Sequence, residues 1–150
     1  MGAAYFYHLT QRSMEDTLSM LLGKARGAGW RVAVRGCEVR RMAHLDDRLW
    51  QSDGFVPHGV AGGAHDTLQP ILLTTQADCP NGATCIMAVD GASVSAEEVA
   101  RMERVCILFN GHDTQELDTA RGQWKALKDA GAMAQYWSDE SGHWEKKAET

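Results

Sequence analysis

Apolar positions along the chain alternate between two spacings. The opening stretch AAYFYH, residues 3–8, is short and rich in aromatics, which predicts a strand. From Ser13 the spacing lengthens: Met14, Leu18, Leu21 and Leu22 fall on one face of a helix. Asp16 stands three residues after Ser13, a weaker form of the capping box. Gly27 and Gly29 mark that helix's end. WRVAV, 30–34, is a second strand in which Val32 and Val34 alternate with Arg31 and Arg35. Residues 37–50 return to helical spacing, with Val39, Met42, Leu45 and Leu49 as the apolar stripe. A β-α-β-α rhythm is that of a parallel sheet covered by helices, so the expected class is α/β.

The rhythm breaks at 53–66, a long loop with four glycines and one proline. Loops of such length are usually functional or mobile. Strands are predicted at 71–75 and 84–89, separated by ADCPNG. Ser95 and Glu98 form a capping box that opens a short helix. RVCILF, 104–109, is a continuous apolar run, as a central strand buried on both faces requires. Asp113 and Glu116 suggest another box, opening a helix that runs to Gly131. A last strand is predicted at 133–137, and the polar tail beyond Trp144 is expected to be loose.

Length and composition narrow the function. A chain of 150 residues, 44% hydrophobic and 23% charged, fits one globular domain spanning 1–150. A net charge of -5 argues against a general nucleic-acid binder, so any link to DNA is expected to be indirect. No apolar run approaches the ~20 residues of a membrane span. MGAAYFYHLT lacks the features of a signal peptide, and MGAAYF is a poor myristoylation match, so no membrane contact and a cytoplasmic location are expected. Cys37, Cys79, Cys85 and Cys106 then read as reduced thiols, with no CxxC spacing to hold a metal.

An α/β chain invites nucleotide chemistry, but its signatures are missing. The turn after the first strand, 9–13, has no glycine where a dinucleotide fingerprint needs GxGxxG. No GxxxxGK[ST] loop occurs, and Gly59, Gly62 and Gly63 precede no helix. His58, His65 and Asp66 sit in one loop without a fixed fourth ligand. No GxSxG elbow or HExxH is present. No cofactor and no catalytic role are therefore expected. The alternative, a small nucleotide- or phosphate-handling hydrolase with 53–66 as its lid, rests on fold analogy alone.

The helix at 113–130 keeps two readings open. Leu117, Ala120, Trp124 and Leu127 form an ordinary core seam. Arg121, Lys125 and Lys128 flank it, and cations near a helix C-terminus complement the helix dipole. The same residues suit an acidic peptide with an aromatic anchor: the ring meets Trp124, with cations on either side for the carboxylates.

Several ordered pieces carry a family resemblance. They are AAYFYHLT at the start, WRVAVRGC leading to a helix that ends LDDRLW (45–50), FVPHGVAG (55–62), LFNGHD (108–113), and the helix with AR..WKALK. Together they resemble the chi subunit of bacterial DNA polymerase III over nearly the whole chain. The resemblance implies a three-layer Rossmann-like α/β fold, mostly parallel, with helices on both faces. It implies a non-catalytic replication adaptor that binds the acidic, Phe-ending C-terminal tail of single-stranded DNA-binding protein. It further implies a link to the clamp loader through a psi subunit. The family's tail pocket carries over to Arg121, Trp124, Lys125 and Lys128, with Trp50 and Phe55 as its other aromatics. Leu117 and Asn110 depart from the lysine and the apolar residue that some members have there.

Overall fold

Side-chain alternation along the strands sorts the core onto two faces of one sheet. In the computed structural model, which describes residues 2–51 and 58–150, β1 (Ala3–Leu9) turns Tyr7 and Leu9 to one face and Ala4 and Phe6 to the other. The remaining strands are β2 (Val32–Arg35), β3 (Gly59–Val60), β4 (Ile71–Thr74), β5 (Cys85–Ala88), β6 (Arg104–Asn110), β7 (Ala134–Ser138) and β8 (Glu145–Glu149). Their order across the sheet is β3-β4-β2-β5-β6-β1-β7-β8, parallel throughout except for the β7–β8 pair. The sheet is mostly parallel and helices cover both of its faces, as the rhythm of the chain predicts.

Helices α1 (Met14–Gly27) and α2 (Val39–Trp50) cover one face, packing Leu18, Leu22, Met42 and Leu49 against Val34, Leu73 and Leu108. Helices α3 (Ala96–Arg101) and α4 (Thr114–Asp129) cover the other, packing Val99, Ala120 and Leu127 against Phe6, Ile86 and Ile107. Strand β6 lies between them, buried from Val105 to Phe109. Each such side chain contributes roughly 2 kcal/mol by leaving water.

Local chemistry sets the element ends. Ser13 accepts from the Asp16 amide, and Ser95 with Glu98 completes the reciprocal box. At α4, Asp113 accepts from the amides of Gln115 and Glu116, but Glu116 accepts from the Asn110 amide instead of returning to Asp113. The expected box there is therefore a simple N-cap. Gly131, at φ +79°, closes α4, with the Ala132 amide donating to the Leu127 carbonyl.

Three regions differ from the sequence expectation. Arg35, read as the polar side of an alternating strand, is buried: its guanidinium pairs bidentately with Glu98 at 3.0 and 2.6 Å and donates to the carbonyls of Ser93 and Ala77. The loop at 53–66 contains β3 and leads into a 3-10 turn, Asp66–Leu68. The tail is not a loose end, because β8 pairs antiparallel with β7 from Glu145 to Glu149. Among the described residues, no helix is long and apolar enough to cross a membrane.

Candidate functional site

The seam of α4 leaves its indole half-buried. Ala120 and Leu127 are 1% and 2% exposed, whereas Leu117 and Trp124 are only partly covered. Trp124 meets Phe6 edge-on at 5.4 Å and Tyr136 at 5.7 Å, both near-perpendicular contacts. Behind them, the Tyr136 hydroxyl lies 3.0 Å from His8 Nδ1, and the His8 ring stacks on Phe109 at 5.1 Å. Such aromatic pairs add about 0.5–1.5 kcal/mol beyond area burial, so the ring cluster is a firm floor.

Cations line one side of that floor. At ~100° per residue, Arg121, Lys125 and Lys128 fall on the same flank of the indole, not on either side of it as the sequence suggested. Gln123 occupies the opposite flank, bonded to Val94 N and the Ala92 carbonyl. The cation flank therefore faces β7. Electrostatics agree. Burial lowers the His8 pKa, and the positive charge of Arg121 lowers it further. Burial raises the Tyr136 pKa, and Arg121 opposes that rise. All three cations are exposed, and among the described residues none forms an ion pair. From Arg121 to Lys128 the ladder spans ~10 Å of helix axis, about three residues of extended peptide.

Trp50 does not join this cluster. It ends α2, whose Leu45 and Leu49 pack on the opposite face of the sheet from α4. Its ring lies 4.2 Å from that of His58, its indole donates to Asp46 Oδ1 at 3.1 Å, and His58 Nε2 sits 2.9 Å from the same oxygen. One pocket lined by both Trp50 and Trp124 is thus ruled out by the sheet between them. Phe55 lies outside the described residues. The departures fall into place differently: Leu117 packs in the seam, while Asn110 caps the turn to His112 with its side chain. The residues that sequence reasoning missed are Tyr136, His8 and Phe6. Alternation within AAYFYH and within AQYWS, which sends Phe6, His8 and Tyr136 to one face, was the available signal.

The crevice of a nucleotide-binding sheet is also occupied. Asp139, 0% exposed, accepts from the backbone amides of Thr10, Gln11 and Arg12 and from the Thr10 hydroxyl, at 2.7–3.2 Å. These β1–α1 amides are the ones a phosphate would take in a dinucleotide site. Burial pushes the Asp139 carboxyl upward, but these donors outweigh it and hold the group below the usual carboxylate range. Beside β3, at the far side of the sheet, Asp66 accepts from the amides of Gly62 and Gly63, so it serves its own turn. Among the described residues no group of three or more His, Cys, Asp or Glu is placed to hold a metal ion.

The family description "DNA polymerase III chi subunit, HolC" matches residues 1–135. No curated protein is matched. The matched span contains β1 through the start of β7, and with them the whole of α4 and its cation ladder. The chain belongs to the family of the DNA polymerase III chi subunit, an accessory subunit in DNA replication.

Proposed function

We propose that this chain is a non-catalytic adaptor whose α4 flank captures the acidic, Phe-ending C-terminal tail of single-stranded DNA-binding protein. The observation that carries it is the ladder Arg121–Lys125–Lys128, free of ion pairs among the described residues, beside the half-buried Trp124 in a chain of net charge -5. Carboxylates of the tail meet the cations, Arg121 with its planar fork foremost. The terminal Phe ring rests on Trp124 and Tyr136. Trp50, carried by α2 on the opposite face of the sheet, leaves this site. The adaptor connects to the clamp loader through a psi subunit, so that DNA is engaged through its partners.

A small charged interface of this kind gives modest, salt-sensitive affinity. Many tails on one coated strand then raise the effective affinity. Calorimetric titration with an acidic peptide ending in Pro-Phe tests the reading, with micromolar binding expected. Equal binding by the peptide lacking its final Phe would sink it.

A further inference from the structure

A cavity of about 340 Å³ opens on the α1 face of the sheet, beneath β1 and β6. That is the lower end of the ~300–1,000 Å³ typical of small-ligand sites. Its floor is apolar, with Met87 and Cys106 only 1% and 2% exposed. Its walls are the rings of Tyr5, Tyr7, Trp30, Trp137 and Trp144.

The charged groups that line this cavity, Arg104 and Lys24, are both cations. The Arg104 guanidinium lies 4.2 Å from the Tyr5 ring centroid and 5.4 Å from that of Trp30, which fixes its plane. Its Nε–H is buried without an acceptor, and so is the indole N–H of Trp144. Lys24 adds a second cation, and no Asp or Glu lines the space. Among the described residues Arg104 makes no ion pair. A buried donor left unmatched costs about 1–3 kcal/mol, so an acceptor is favoured there. A flat apolar body ending in a carboxylate satisfies both demands: rings take the body, and the guanidinium fork takes two oxygens.

We propose that this cavity binds a small aromatic carboxylate, with Arg104 as its anion contact and the Trp144 indole as a further donor. The site is distinct from the α4 flank, since it lies on the other face of the sheet. Trp137 and Trp144 stand beyond residue 135, where the family match ends, so the wall they form belongs to this chain's C-terminal hairpin.

Titration of phenylacetate into the ¹⁵N-labelled full chain tests this, read on side-chain N–H resonances. Saturable shifts of the Trp144 indole and Arg104 Nε signals are expected. Phenylacetamide, with the same ring and no charge, should bind roughly tenfold more weakly or worse. Arg104→Gln should lose the same factor; if it fails to fold, the acid–amide comparison on the unaltered chain decides. A chain terminus offers the same chemistry, so acetyl-Gly-Phe with a free carboxylate is the second probe. Its displacing phenylacetate at lower concentration would overturn the small-molecule assignment. Equal binding of acid and amide, or shifts confined to Trp124 and α4, would overturn the site itself.

Discussion

Asp139 shows how much one side chain decides. Its carboxylate satisfies amides of the β1–α1 turn that would otherwise invite an anion. Asp139→Ala should therefore destabilise the chain by about 2–4 kcal/mol, measured by urea unfolding. Inorganic phosphate should raise the Tm of that variant more than that of the parent, because the exposed amides can now bind it. Equal shifts in both proteins would show that the turn is no anion cradle. The pH dependence has a fixed sign. The folded carboxyl titrates below its unfolded value, so its stabilising effect is fully present above about pH 4 and is lost as pH falls through the folded pKa. Asp139→Asn should remove that acid-limb component. Nothing local in SDESG singles out Asp139, because its partners lie 127 to 129 residues away in sequence. Arg35 escaped for the same reason: its partner Glu98 is 63 residues distant, and an arginine in an alternating strand reads as solvated.

At the scale of elements, patterns bounded by caps and glycines were legible. The Ser95–Glu98 box, the apolar run of β6 and the ends of α1 and α4 all follow from short-range chemistry. Ser95→Ala should cost about 1 kcal/mol by removing one half of that box, checked by thermal unfolding. The C-terminal hairpin was not legible. EKKAE is polar and exposed, and β8 exists because β7 offers an edge, not because of its own pattern. Its anchor is Trp144, which meets Tyr7 edge-on at 5.3 Å and lies under Arg12 at 5.4 Å. Trp144→Ala should destabilise by roughly 2 kcal/mol and speed amide exchange along 145–149. Unchanged exchange there would mean that β8 holds without its tryptophan.

Across the whole molecule, the sheet itself is the barrier that sequence reasoning overlooked. Helical spacing placed Trp124 beside its cations, and the resemblance added Trp50, but neither specifies the side of the sheet on which a helix packs. That depends on the strand order, with α2 over β4 on one face and α4 over β6 on the other. The net charge of -5 gives the ladder its meaning: an acidic tail is repelled by the molecule as a whole and attracted at one flank. Salt should therefore weaken capture markedly between low and physiological ionic strength, where the screening length is about 8 Å. The most direct test titrates one tail peptide into three proteins: the parent, Arg121→Ala and Trp50→Ala. Arg121→Ala should bind roughly tenfold more weakly at unchanged Tm, since its side chain is exposed. Trp50→Ala, altered on the opposite face, should bind like the parent. Loss of binding in Trp50→Ala with retention in Arg121→Ala would contradict the α4 site.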